Sequence, residues 1–308
     1  MCYNWPMFDH HLTQFMGRAV RPFLADQGIT HPEDIYRISI DFDEGDWAAK
    51  FAQFIDDPQV HQAIGIVVGS WMGGDVDISS AGAVSQLVGA TPKLPNLQAI
   101  FLGDITYEEC EISWIVQSDI SPIFTAYPAL THVGARGGDR LRLGQLNHQH
   151  LTTLIIETGG LNHQVVTDLL ASTLPALTHL ELYIGTDEYG RTVEVEHLTP
   201  LLSHTLFPNL SYLGLRDAEN ANEVAIAIAH APILAQLDTL DLSLGTLSDE
   251  GGKALLGSDG IKRLQKLDLH YHYLSDEMMA QFISLPITVD VSDQQKADDG
   301  WRYVGVGE

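Results

Sequence analysis

One stretch of this chain is written twice, 27 residues apart, and nothing else in the sequence restricts its fold as much. Residues 237–256, LDTLDLSLGTLSDEGGKALL, and 264–283, LQKLDLHYHYLSDEMMAQFI, agree at Leu237/Leu264, Leu240/Leu267, Asp241/Asp268, Leu242/Leu269, Leu247/Leu274, Ser248/Ser275, Asp249/Asp276 and Glu250/Glu277. A unit of this length cannot bury its own apolar face, so successive units must stack on one another. The L-x-x-L-x-L spacing runs backwards through Leu210/Leu213/Leu215, Leu177/Leu180/Leu182, Leu151/Leu154/Ile156, Leu130/Val133/Ala135 and Leu97/Ile100/Leu102. Fainter copies are read at His61/Ile64/Ile66 and Ile35/Ile38/Ile40, and a degenerate last one at Val289 and Val291.

Units therefore begin near residues 35, 61, 97, 130, 151, 177, 210, 237 and 264, at intervals of 21 to 36. Units of about 26 residues or more have room for a helix on the return path, and shorter ones return through a loop. The expected fold is α/β: a leucine-rich-repeat solenoid, or horseshoe, with a concave parallel β-sheet, convex α-helices and a cap at each end. Residues 1–308 are read as one domain, with an N-terminal cap over 1–34, repeats over 35–285, and a C-terminal cap and tail over 286–308. In the first cap, LTQFMGRAVRPF predicts a small hairpin turning at Met16 and Gly17. In the last, ITVDVS, a polar connection and WRYVGVGE predict a strand, a loop and a final strand that covers the open end.

The formal net charge of -25 reflects a shortage of bases, with 41 Asp+Glu against only 16 Lys+Arg. Clusters of Lys and Arg that neutralise phosphates are absent, so neither nucleic acid nor an anionic membrane is an expected partner. The start, MCYNWPMFDHHL, lacks a basic region followed by an apolar run, and no segment nears the roughly 18 apolar residues of a membrane span. A cytoplasmic location follows as an expectation. Cys2 and Cys110 are too few for a disulfide framework and are read as reduced thiols.

Helix starts are marked by capping chemistry. Ser248 and Ser275 stand before acidic first turns, Asn162 precedes HQVVTDLLAS, Asn220 or Asn222 opens EVAIAIAHA, and Pro122 follows Ser121. Thr106 and Glu109 have capping-box spacing, which predicts a helix burying Ile112, Trp114 and Ile115.

Residues between and just after the apolar positions point out of a parallel sheet. They place Arg136, Glu157, Glu181, Tyr183, Arg216, Asp241, Asp268, His270 and Tyr271 on the concave face, a mixture of Arg, Tyr and acids typical of interface anchors. Cross-strand pairing such as Arg136 with Glu157 is the alternative reading of the same residues. The segment 103–124 interrupts the repeat and brings Asp104, Tyr107, Glu108 and Glu111 to a possible rim loop. Cys110 lies among carboxylates that disfavour a thiolate, so it is no nucleophile. Asp268, His270 and His272, spaced by two, form a weak metal pattern without a fixed further ligand. Gly137-Gly138 and Gly159-Gly160 lack phosphate-loop spacing, and no catalytic triad stands out.

The units at 237–251 and 264–278 resemble ribonuclease-inhibitor-type leucine-rich repeats. FLGDITYEECEISWIVQSDISPIF, ETGGL, LYIGTDEYG, LDLSLGTLSDEG, LDLHYHYLSDEM and RYVGVGE are similar to an uncharacterised bacterial leucine-rich-repeat family, over about residue 10 to the end. That resemblance implies an intracellular solenoid of unassigned activity, some of whose members are encoded near radical enzymes and an ATP-grasp-like protein. It brings no catalytic residues and no cofactor. The functional expectation is a non-enzymatic scaffold that binds a neutral or basic protein or peptide through the concave sheet face, with a metal-binding protein or metal-assisted enzyme using Asp268, His270 and His272 as the alternative.

Overall fold

The computed structural model describes residues 8–41, 45–203 and 206–306. The chain divides into two compact units, residues 8–157 with 171–175, and residues 158–170 with 176 onward.

In the first unit, β1 (Gln14–Phe15) and β2 (Arg18–Pro22) form the predicted antiparallel hairpin. Its turn uses Met16 at φ 52 and Gly17 at φ 66, a pair of left-handed residues matching the twist of the strands they join. β2 then starts a parallel series with β3 (Ile35–Ile38), β4 (Gly65–Val68), β5 (Ala99–Leu102), β6 (His132–Arg136) and β7 (Thr153–Glu157). Helices α1 (Trp47–Ile55), α2 (Ala81–Gly89) and α3 (Ser121–Ala126) fill the returns of the longer repeats. No helix intervenes among the described residues between β6 and β7, the shortest repeat, because its return is too short to hold one.

The second unit carries β8 (His179–Gly185), β9 (Tyr212–Ala218), β10 (Thr239–Asp241), β11 (Lys266–Asp268) and β12 (Thr288–Asp290), parallel neighbours in chain order. Its helices are α4 (His163–Leu170), α5 (Val195–Leu198), α6 (Ala221–Ala229), α7 (Asp249–Gly257) and α8 (Asp276–Ile283). Leu180, Leu213, Leu240, Leu267 and Val289 stand opposite one another across these strands, the first four fully buried. The fold is a leucine-rich-repeat solenoid, with the helices behind the sheet.

Register corrects the two faint repeats. Ile66 pairs with Ile100 and Tyr36 with Ile66, so the true repeat positions are Ala63/Ile66/Val68 and Glu33/Tyr36/Ile38, the second set opening on an exposed glutamate. The readings at 61 and 35 were slipped by two residues in opposite directions; a slip of two keeps the last two positions of each unit on their own face, but Ile35 packs on the other face with Phe15, Val67 and Phe101.

Capping also departs from expectation at three places, the first being Asn220, which precedes α6 without a side-chain cap bond. Ser275 caps α8 by accepting the Met278 N–H at 3.2 Å, but Ser248 caps nothing in its own helix. Its task is taken by buried Asn222 of the preceding repeat, whose Oδ1 accepts the Ser248 N–H at 3.0 Å and the Gly251 N–H at 3.1 Å, while Nδ2 donates to Ser248 Oγ at 3.0 Å. At Thr106, Glu109 reaches back to the Thr106 N–H at 2.8 Å, but the turn ends there in place of a helix. Ile112 and Ile115 are buried as expected, whereas Trp114 is 57 % exposed.

Asn222 thus links adjacent repeats through one buried amide. Asn222→Ala leaves the buried N–H groups of Ser248 and Gly251 without an acceptor, and the expected loss is about 1–3 kcal/mol in urea unfolding, with Asn220→Ala as a milder control.

Candidate sheet-face site

The sheet face opposite the helices is more self-satisfied than the sequence led us to expect. In the first unit, Asp104 is fully buried and not on a rim. Its Oδ2 accepts Arg37 Nε at 2.9 Å, its Oδ1 accepts the Leu12 N–H at 3.0 Å, and Arg136 Nη1 stands 3.8 Å away. Arg136 donates through Nε to Glu157 Oε2 at 2.7 Å and through Nη1 to the Ile105 carbonyl at 2.9 Å. The Phe8 ring covers the guanidinium at 4.0 Å. Arg136 and Glu157 are therefore a buried structural pair, with the N-terminal segment laid over them, and not exposed contact residues. Tyr107, Glu108 and Glu111 of the segment after β5 do remain exposed. Cys110 is a buried thiol that takes part in no disulfide among the described residues, and Cys2 lies outside them.

In the second unit an ordered polar ladder crosses the face. Arg216 donates through Nη1 to Glu181 Oε1 at 2.6 Å and through Nε to Ser243 Oγ at 3.0 Å, with Asp241 Oδ2 at 3.4 Å. It can lie between two acids because the intervening position is Gly214, where a Cβ would fall 3.1 Å from the Glu181 side chain. The guanidinium also stands 5.0 Å from the centre of the buried Tyr183 ring. Burial opposes ionisation of Glu181, but His179 and Arg216 outweigh it and hold the carboxyl below its ordinary range. Farther along, Asp268 Oδ2 accepts Lys266 Nζ at 2.8 Å and Asp268 Oδ1 lies 2.7 Å from His270 Nδ1. Burial opposes the Asp268 charge too, and again the hydrogen bonds from His270 and Lys266 prevail and lower its pKa.

Of the residues expected on this face, Glu181, Tyr183, Asp241, Asp268 and Tyr271 are buried, and only Arg216 and His270 are half-buried. The column that does reach solvent was missed: His179, Tyr212, Thr239 and Lys266, one residue pair earlier on each strand, all half-buried. The two-residue strand period contained it, since 239 and 241 share a face, but the reading began one step too late. His179 and Tyr212 stack with ring centres 3.8 Å apart and 8° between planes. Tyr212 donates to Asp241 Oδ2 at 2.7 Å, and burial, with the nearby charges of Glu181 and Asp241, pushes its hydroxyl pKa far up. It stays a neutral donor.

The expected line of Asp268, His270 and His272 does not form. Tyr271 takes the left-handed φ of 58, which breaks the strand alternation and turns His272 inward. There its Nε2 is 3.0 Å from the Val291 carbonyl and its Nδ1 accepts the Leu274 N–H at 3.0 Å. Asp290 takes its place: ligand atoms of Asp268, His270 and Asp290 lie within 4.8 Å of one another. Lys266 already supplies Asp268 with positive charge, so a cation there must displace an ammonium. Among the described residues no helix is long and apolar enough to cross a membrane.

These features define a leucine-rich-repeat protein with an internally paired polar sheet face. No protein-family model and no curated protein matches the chain. Among solved structures, a protein from Bacteroides fragilis is 37% identical, covering 84% of this chain and 74% of its own, with a TM-score of 0.79. The chain belongs to the family of that Bacteroides protein. An internalin from Listeria monocytogenes is 15% identical over 77% of this chain and 63% of its own, with a TM-score of 0.30.

Two consequences are measurable. Asp104→Ala leaves Arg37 and Arg136 without their shared carboxylate, and chemical unfolding should show a loss of about 3–5 kcal/mol. His270 has its pKa raised, first by its hydrogen bond to Asp268. A raised folded-state pKa means stability present in full below the unfolded value of about 6.5 and lost as pH rises through the folded value. The gap in unfolding free energy between wild type and His270→Asn should therefore be widest below pH of about 6.5 and narrow as the pH rises above it.

Proposed function

We propose that this protein is an interaction scaffold that binds a neutral or basic protein or peptide on the sheet face of its second unit, without catalysis of its own. The observation that carries this reading is the stacked His179–Tyr212 pair, held in front of the Glu181–Arg216–Asp241 ladder. Both rings are fixed before any partner arrives, Tyr212 by Asp241 and His179 by Glu181, whose Oε2 lies 3.3 Å from its Nε2. Side chains ordered in advance lose little freedom on binding, which favours recognition by a flat aromatic platform. Thr239 and Lys266 extend the platform with a hydroxyl and a flexible cation. Carboxylates of Glu181, Asp241, Asp268 and Asp290 outnumber the cations Arg216 and Lys266 on this face, which supports a neutral or basic partner.

Lys266→Glu and Tyr212→Ala are the informative changes, since both residues are half-buried and neither belongs to the leucine ladder. A partner recovered from native lysate with the wild-type chain should bind Tyr212→Ala about thirtyfold more weakly, the effect of losing an interface hot spot of about 2 kcal/mol. Binding unchanged in both variants, measured with the purified partner, removes this face from recognition.

A further inference from the structure

The end of the chain does not add the final strand that its sequence predicts. After β12, residues 291–300 form a largely exposed polar connection, which reverses where Asp298 and Trp301 exchange backbone hydrogen bonds at 2.8 and 2.9 Å. Residues 301–306 then run back across the C-terminal end of β9 and the loops that follow β10 and β11. They meet three residues that occupy one position in successive repeats, Asp217, Leu244 and Tyr271, each 27 residues from the next by strand register. All three are left-handed, with φ of 57, 69 and 58. Such backbone costs a leucine or tyrosine on the order of 1–3 kcal/mol and persists where surrounding contacts over-determine it.

Each residue of the column holds one residue of the returning segment. The Tyr271 hydroxyl donates to the Val304 carbonyl at 3.1 Å, the Gly305 N–H donates to the Leu244 carbonyl at 2.6 Å, and the Val306 N–H donates to Asp217 Oδ1 at 2.7 Å. Val304 and Val306 are buried, and Gly305 lies so close that a Cβ there would stand 3.0 Å from the Leu244 side chain. The segment thus presents a valine, a glycine and a valine to three repeats in turn, by main-chain bonds and two small apolar side chains. One acceptor is left over: Asp217 is fully buried, and its Oδ2 has no partner among the described residues. Trp301 and Tyr303, just before the seated residues, are 71% and 47% exposed.

We propose that the Asp217–Leu244–Tyr271 column is a peptide-binding seat, filled in this chain by its own residues 304–306, which an extended Val-Gly-Val-like segment of a partner protein replaces. The seated segment shows the chemistry that fits. The empty Asp217 oxygen shows that the seat offers more than this occupant uses, and the exposed connection allows the occupant to leave while β12 stays paired with β11. The seat is separate from the His179–Tyr212 platform, and its test does not depend on that reading.

The test uses the full chain and a labelled synthetic peptide Trp-Arg-Tyr-Val-Gly-Val, followed by fluorescence polarisation. Val306→Pro deletes the N–H that Asp217 accepts while keeping an apolar side chain. If the resident segment fills the seat about nine-tenths of the time, its release raises apparent peptide affinity about tenfold over wild type. Adding Asp217→Ala to Val306→Pro should abolish that gain, and hydrogen exchange should show residues 303–305 unprotected in both variants. The proposal is overturned if Val306→Pro binds the peptide no better than wild type. It is equally overturned if Val306→Pro, or the milder Gly305→Ala, melts or fails to fold as a core deletion does, for the segment is then a structural cap. If light scattering shows the wild-type protein forming concentration-dependent dimers through exchanged segments, the occupant is a second copy and the partner assignment fails.

Discussion

Leu180, Leu213, Leu240, Leu267 and Val289 stack in register, one from each of five neighbouring strands, and the second unit is arranged around this apolar ladder. Each residue alone contributes a side chain's worth of burial, on the order of 1.5–3 kcal/mol. Stacked, they lock register between repeats, because a shift of one residue would place every leucine on the polar face. The polar columns beside the ladder inherit that register. Their charges are brought into line by it and must then be satisfied across strands.

This inheritance explains why so much of the sheet face is closed to partners. Residues in line on a parallel sheet stand about 4.8 Å apart, near enough for an acid in one repeat to meet a base in the next. Arg216 uses the space over Gly214 to join Glu181 with Asp241, and in the first unit Arg136 reaches both Asp104 and Glu157. In a chain with few bases, each buried Arg or Lys serves several acids. What remains accessible is the column whose side chains stack or hydrogen-bond without being covered, and there His179, Tyr212, Thr239 and Lys266 form a surface of fixed shape.

Left-handed residues mark where this regular design stops. Asp217, Leu244 and Tyr271 take the left-handed conformation at the same step in three repeats, Asp217 near the end of β9 and the other two beyond β10 and β11. That turn decides two things at once: it swings His272 out of line with His270, and it creates the seat for residues 304–306. A strained turn repeated in register is a device for receiving one extended segment across several repeats.

Leucine spacing, strand alternation and capping residues were sufficient to determine the fold class, the hairpin at Met16 and Gly17 and most helix starts, because burial and capping act through residues close in sequence. The fold class even survived the slipped readings at 35 and 61, since a shift of two keeps the last two apolar positions of each unit on their face. The sequence by itself could not determine which polar residues are covered. Arg136 and Asp104 are closed off by residues from the N-terminal segment, Tyr271 by Val304 and Ser248 by Asn222, contacts whose partners lie in other repeats or at a chain end. Whether an outward side chain is a contact or a buried pair depends on what packs over it, and only the tertiary structure decides that.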